Sequence, residues 1–456
     1  MDEPPMTFPQ AGLAAFLPAT ASLCILLGCA PAQAQSLSEI VNAARTYDAA
    51  YLGARSSADA ARFRYEQARA LHKPTLGLQL EAGRNVSNTP FVPSESSTMT
   101  NGLSAAINAT QTIFNRQNDL QIDQADKTVE IARSQLAAAD QDLIVRVAQA
   151  YFNVLAAADV LQTVRGNGKA ITEQLASARR NFQVGNATVT DTREAQARFD
   201  LAHSQEIAAE NDLQVAHVTL DQLVGRDGIA PHPLKLPAAL PPVMPSQASD
   251  WVAMAESDSP ALKQARLNLE VAQLETARRK AGYLPVVAAQ ASYNRNRTTE
   301  NISGLQSSAA TGTGSGSSVQ LTVTIPIFTG GLIGNQVGEA RALEEKGRID
   351  AEGARSAVTL NTRQSFLGAQ SQNAQVKALE AAEASSQLAL DATVLGYKVG
   401  VKVNLDVLNA QSQLYSTQRD LSAARYNYLV ATLKLRQAVG TLGDNDLLPI
   451  DALLVR

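Results

Sequence analysis

The chain has 456 residues, a formal charge of −4, 5% aromatic residues and one tryptophan, Trp251. A near-neutral balance without clustered basic charge excludes an electrostatic nucleic-acid binder. Alanine and glutamine are very common, which favours long helices in close contact over ordinary globular domains.

Gly12 to Ala30 is short and apolar, and Ala32-Gln33-Ala34 is a small-x-small cleavage site, so residues 1–34 read as an export signal. The leading segment lacks Lys and Arg, and Met6 is an alternative start. A short membrane anchor is a second reading. A third is lipoprotein processing at Cys29, because Leu26-Leu27-Gly28-Cys29 resembles a lipobox with Leu27 a poor fit. Both cysteines, Cys24 and Cys29, lie here, so the cleaved chain is expected to carry neither disulfide nor thiolate chemistry. No later stretch has 18 consecutive apolar residues, which argues against a transmembrane helix in the cleaved chain.

Ser36 to Leu71 has apolar residues at helical spacing, and Pro74 ends it. Leu76, Leu78 and Leu80 then alternate with polar residues, which predicts a strand. Asn88 to Ser97 reads as a loop, and alternation resumes over Leu103 to Phe114, completing a hairpin. A helix is expected from Asn118 to about Val164, some 45 residues and roughly 70 Å. Gly166-Asn167-Gly168 is its expected break. Its partner runs from about Ile171 to Leu223, with an irregularity at Val184-Gly185-Asn186. Six prolines between Pro231 and Pro245 make an extended connector. The order then repeats: a helix over Trp251–Gly282, a strand over Val286–Tyr293, a Gly/Ser/Thr/Ala-rich loop over Ser303–Ser318, a strand from Val319 to Ile325, a long helix over Asn335–Glu383 and its partner.

The repeat is visible residue by residue. Thr393 to Gly440 aligns with Ala178 to Gly225 at a shift of 215 without a gap. In the later copy Val407, Leu414, Leu421, Tyr428, Leu435 and Leu442 stand seven apart, with small residues three positions after each of the first five. That is a seam between close-packed helices. The division is therefore a first repeat at 35–225, a Pro-rich connector at 226–250, a second repeat at 251–440 and a tail at 441–456. The fold class is mainly α with β: internally duplicated antiparallel helices and two β-hairpins per chain. Four strands cannot close a barrel, since transmembrane barrels need at least eight. Either several chains pool their strands in a membrane, or the strands form a small soluble sheet capping a coiled-coil stalk. The alanine seam suits a bundle and a curved helical wall alike.

Beyond periodicity, the residues resemble the TolC family of outer-membrane efflux and secretion channels over nearly all of the cleaved chain. The resemblance is carried by Tyr151-Phe152-Asn153-Val154-Leu155, Phe182-Gln183-Val184-Gly185, Pro326-Ile327-Phe328 with Gly330-Gly331, Gly396-Tyr397-Lys398-Val399-Gly400, Asp406-Val407-Leu408, Ala424 to Leu429 and Gly440-Thr441-Leu442. Each piece is short; their order, spacing and duplication are specific. The resemblance implies a homotrimer with a 12-stranded β-barrel among outer-membrane lipid and an α-barrel of twelve helices in the periplasm. The connector and tail would form a belt around its middle. It implies a passive exit duct for drugs or proteins, served by a periplasmic adaptor (membrane fusion) protein and an inner-membrane transporter of ABC, RND or MFS type. No cofactor is implied. The alternative is a non-channel periplasmic or surface coiled-coil protein.

The resemblance also places a gate at the periplasmic end. Its links fall on Thr190, Asp191, Tyr397 and Lys402, with Asp191 as acceptor for the Tyr397 hydroxyl or the Lys402 ammonium. Lys402 stands where the resemblance places an arginine, so a bidentate fork is lost. Asp406 matches a constricting acidic ring, and Asn409 stands where a second aspartate is common, which weakens the case for strong cation selectivity. Val184, Gly185, Val399 and Gly400 mark the tips where an adaptor would dock. Read without the family, these residues are a helix cap and a solvated turn. Phe114 and Phe328, where strands meet helices, are interface anchors or core residues.

No enzyme reading stands beside this. His72, His203, His217 and His232 show no metal-binding spacing, and Gly166-Asn167-Gly168-Lys169 lacks the spacing of a phosphate loop. Asp444-Asn445-Asp446 lacks the glycine and closing glutamate of a calcium loop.

Overall fold

The structure is a computed structural model that describes residues 35–89, 96–185, 187–235, 240–303 and 308–455. The export signal, Cys29 and the two strand-joining loop tips lie outside the described residues. The elements in chain order are α1 (Leu37–Ala44), α2 (Ala49–Arg69), β1 (Thr75–Thr89), β2 (Ser96–Phe114), α3 (Arg116–Gln183), α4 (Val189–Val224), α5 (Ala248–Asp258), α6 (Pro260–Lys280), β3 (Val286–Ser303), β4 (Ser308–Thr324), α7 (Leu332–Lys398), α8 (Asn404–Val439) and a last turn, α9 (Leu448–Asp451).

The strands and α7 run longer than expected, β2 from Ser96, β3 to Ser303 and α7 to Lys398, and four further differences have a local reason. The first helix divides at Thr46–Asp48, where Asp48 accepts from the Tyr51 N–H at 2.8 Å and starts α2. The same carboxylate pairs with Arg146 at 2.9 Å, and that guanidinium holds it below the usual carboxylate range. Its counterpart in the second repeat divides at Ser259, because Pro260 takes the first helical position, where its missing N–H costs nothing. Gly166-Asn167-Gly168 does not break α3, which runs 68 residues, roughly 100 Å. Two helical glycines cost only about 1 kcal/mol each, and Leu161 and Ile171 on either side are buried. Gly166 instead admits the ring of Tyr415, which would lie 3.4 Å from a β-carbon there. Finally, Ser308–Ser318 is strand rather than loop. The residues carry full antiparallel pairing with β3, and β-carbons at Gly314 and Gly316 would sit 2.7 Å from the amide oxygens of Asn296 and Asn294.

The heptad seam is buried along its whole length: Val407, Leu414, Leu421, Tyr428, Leu435 and Leu442 are all 5% exposed or less. α7 packs on α8 and α3 on α4, with α6 against α3 and α7. The main core lies midway along α3, around Leu143–Leu155, where α1, the end of α4, α8 and the tail converge. Tyr151 is its hub. Its hydroxyl accepts from the His232 N–H at 2.8 Å and lies 3.3 Å from the Gln35 carbonyl. The tail pairs with the connector through Lys235 N–H to Leu453 O and Val455 N–H to Pro233 O, both 2.8 Å. The residues before α1, the connector and the tail are thus bonded to one another beside the middle of α3. α3 also holds an 18-residue window of mean hydropathy 1.4, more than half of it buried.

Asp451 ties the tail to α1. Its buried carboxylate accepts from the N–H of Leu37 (2.8 Å) and of Ser38 (3.3 Å), capping α1 from the far end of the chain. Asp451→Ala is expected to lower the unfolding free energy by about 1–3 kcal/mol. The readout is an earlier midpoint in chemical denaturation, with Asp451→Asn losing less.

Candidate functional site

Two places carry the chemistry of this chain: the four-stranded sheet and the paired helical tips. The strands are antiparallel in the order β1-β2-β3-β4, so the two repeats join through β2 and β3 while β1 and β4 remain edges. Register sorts the side chains. Leu78 pairs with Ile107, which pairs with Tyr293, and Leu76 leads in the same way through Ala109 and Ala291 to Val319. Side chains alternate faces along a strand, so one face collects Leu76, Leu78, Leu80, Ile107, Leu321 and Val323. The other face carries Gln79, Glu81, Asn108, Ser292, Gln320 and the glycines of β4.

Among the described residues no helix covers the apolar face. Leu76 is 77% and Val319 86% exposed in the single chain. A sheet capping a soluble stalk would bury that face.

The apolar band also crosses the strands at a slant. Its centre is near residue 79 in β1, 106 in β2, 290 in β3 and 321 in β4, whereas register from residue 79 leads to 316 in β4. Five residues correspond to about 16 Å along a strand, against about 14 Å for three strand spacings. The band is thus offset by about five residues from β1 to β4, mostly between β2 and β3, in the sense of the tilted strands of a transmembrane barrel. Phe114 and Phe328, at the strand–helix junctions, are 43% and 89% exposed, so neither is core within the chain.

At the far end the chain reverses twice, between α3 and α4 and between α7 and α8. Val184 and Val399 end the first helix of each pair, and Gly185 and Gly400 follow at φ 80° and 81°. Only glycine adopts this left-handed conformation without strain. After Gly400 the strand of chain folds back, and the N–H groups of Val401 and Lys402 donate to the Gly396 carbonyl at 2.9 and 3.1 Å. A β-carbon at Gly396 would meet Lys402 Cγ at 2.9 Å, so glycine makes room for the fold-back. Val184, Val399, Val401 and Val403 are all more than 60% exposed, an apolar tip without cover.

Asp191 and Asp406, 215 residues apart, are the same position: the third residue of the helix that leaves each tip. Both act as caps. The Asp191 carboxylate accepts from the Thr188 N–H and hydroxyl, each at 2.8 Å. The Asp406 carboxylate accepts from the Val403 N–H at 3.3 Å and lies 3.7 Å from Lys402 Nζ. Both partners of that pair are more than a third exposed, so its contribution is below about 1 kcal/mol. Tyr397 Oη accepts from Asn181 Nδ2 at 3.4 Å, and Thr190 is exposed beside Asp191. Within one chain, then, no bond among the described residues joins Asp191 to Tyr397 or Lys402.

Asn409 Oδ1 accepts from Arg198 Nη2 at 3.1 Å, and Arg198 also lies 3.8 Å from Glu194. Asn181 and Arg198 escaped the sequence reading. Arg198 was legible only as a helical pair with Glu194, because its other partner lies 211 residues away.

Long paired helices with the connector and tail packed at mid-length, and an open sheet with one uncovered apolar face, define an outer-membrane channel chain. The model of the outer membrane efflux protein family matches residues 41–226 and 251–441, one segment per repeat. The chain belongs to that family. It is 32% identical over 425 residues to outer membrane protein TolC of Vibrio cholerae, covering 92% of this chain and 94% of the relative. It is 32% identical over 316 residues to the alkaline protease secretion protein AprF of Pseudomonas aeruginosa, covering 67% and 63%. The solved structure of the outer membrane protein VceC of Vibrio cholerae matches with a TM-score of 0.71 at 18% identity, over 89% of this chain and 96% of that one.

Proposed function

We propose that this chain is one third of an outer-membrane exit duct for efflux or type I secretion. Three copies pool twelve strands into a closed barrel and twelve helices into a periplasmic tube. The observation that carries this reading is the apolar sheet face with two unpaired edges. In lipid each unsatisfied edge N–H or C=O costs several kcal/mol, and closure with other copies removes the edges. The relatives named for TolC and for protease secretion support the same use. The duct is a passive conduit, so the energy comes from an inner-membrane transporter reached through a periplasmic adaptor that docks on the exposed tips around Val184-Gly185 and Val399-Gly400. At those tips Thr190, Asp191, Tyr397 and Lys402 hold the gate between helices, and Asp406 with Asn409 lines the constriction. The caps seen in the single chain leave Asp191 with lone pairs for a neighbour.

The test is the mass and outline of the detergent-purified protein, by light scattering and negative-stain imaging. A three-chain particle with a tube on the order of 100 Å, the length of α3, is expected. A monomer without a detergent belt would overturn the duct.

A further inference from the structure

The described strands carry five charged residues, and register divides them by sign. Arg84 shares the parity of Leu76–Leu80 in β1, and Arg295 and Arg297 share that of Ala291 and Tyr293 in β3. All three arginines therefore lie on the apolar, outward face. Glu81 and Glu300 lie on the polar face: Glu81 pairs through Ser104 to Asn296, which has the parity of Glu300.

The arginines occupy one level. Each is the first outward residue, or the next but one, beyond the apolar band on the side of the strand-joining loops: Arg84 follows Ala82, and Arg295 follows Tyr293. Arg295 and Arg297 stand about 7 Å apart along β3, and Arg84 stands two strands away, about 12 Å from Arg297. All three are exposed, and among the described residues none has a carboxylate within ion-pair distance, while Arg84 Nη2 donates to Met99 Sδ at 2.6 Å. The outward face around them is neutral: on the side of β3 and β4 it carries the hydrogen-bonding groups of Thr299, Thr313 and Ser315, and on the side of β1 and β2 Asn101 stands among Val86, Met99 and Leu103.

We propose that this outward face binds the phosphate groups of a phosphorylated glycolipid in the outer leaflet. The inference rests on the strands spanning the outer membrane. Three guanidinium forks at the edge of the hydrocarbon, where water no longer screens them fully, match phosphate oxygens bidentately. The polar part of this face continues from Arg295 to Asn301, about 20 Å along the strand and about 14 Å in height at a 45° tilt. A phospholipid headgroup layer is only about 5–8 Å deep. On β3 and β4 the taller layer of hydroxyl and amide groups suits sugars above the phosphates. A trimer would carry nine such arginines in a ring.

The experiment reconstitutes the full-length protein in vesicles of phosphatidylcholine, phosphatidylglycerol and diphosphoryl lipid A. It extracts the protein gently and counts the retained lipids by native mass spectrometry. Wild type is expected to retain lipid A several-fold over phosphatidylglycerol. Arg295→Gln/Arg297→Gln is expected to reduce that excess several-fold, as is replacing the lipid by its dephosphorylated form, while insertion is unchanged. Lipid A and phosphatidylglycerol retained in proportion to their supply, or a double variant that retains as much as wild type, would overturn the glycolipid site alone. Failure of the wild type to insert into any of the vesicles would overturn the duct as well.

Discussion

Ile107→Arg is expected to eliminate the trimer from the outer membrane, while Asn108→Arg, one residue along the same strand, leaves it in place. Ile107 stands near the centre of the apolar band and pairs with Leu78 and Tyr293, whereas Asn108 pairs with Gly77 and Ser292 on the opposite face. An arginine on the lipid face near the midplane costs about 2–4 kcal/mol. Three copies in one barrel bring that to about 6–12 kcal/mol, as much as the whole stability of a typical domain. On the other face the same side chain would enter the proposed wet lumen, with Gly77 and Ser292 as its paired neighbours and no hydrocarbon to displace. The readout is the amount of heat-resistant trimer in the outer-membrane fraction. Equal amounts for the two variants would mean that the faces are assigned wrongly, and with them the membrane role of the sheet.

That contrast depends on register, and register is where sequence and structure informed each other unequally. The heptad from Val407 to Leu442 was fully legible, because a seam of large residues seven apart has one efficient way to be buried. The apolar halves of the strands were legible for the same reason at period two. Ser308–Ser318 was not: a run of Gly, Ser, Thr and Ala reads as linker, and only pairing with β3 shows that its small residues make space for Asn294 and Asn296. Gly166-Asn167-Gly168 misled in the opposite sense. Glycine marks a break locally, but tertiary packing on both sides outweighs about 2 kcal/mol of propensity. Buried polar groups were also invisible. Asp159 on α3 accepts from Tyr426 Oη at 2.9 Å across 267 residues, and burial pushes its carboxyl above the usual carboxylate range. At the tips the residue types were found from resemblance, while their first duty, capping α4 and α8, follows from the 215-residue repeat itself.

The cap explains what a gate experiment must control for. Asp191→Ala/Lys402→Ala is expected to raise single-channel conductance several-fold, because the proposed links between helices, worth about 1–3 kcal/mol each, would be removed in all three chains. The same substitution removes the Asp191 cap, worth about 1 kcal/mol, so loosening of the tip could raise conductance on its own. Thr188→Ala separates the two. It deletes the hydroxyl that accepts from the Asp191 N–H at 3.2 Å, yet leaves the Asp191 carboxylate free to hold a neighbour. A gate held by Asp191 stays closed in Thr188→Ala and opens in the double variant. If both open alike, the residues are a cap and turn and nothing more; if neither changes conductance, the constriction lies elsewhere. Asp406→Asn completes the series. It keeps an oxygen for the Val403 N–H but removes three negative charges beside Lys402, one turn from the Arg198–Asn409 contact. The remaining cations then dominate the constriction, and the reversal potential in a salt gradient is expected to shift toward anions.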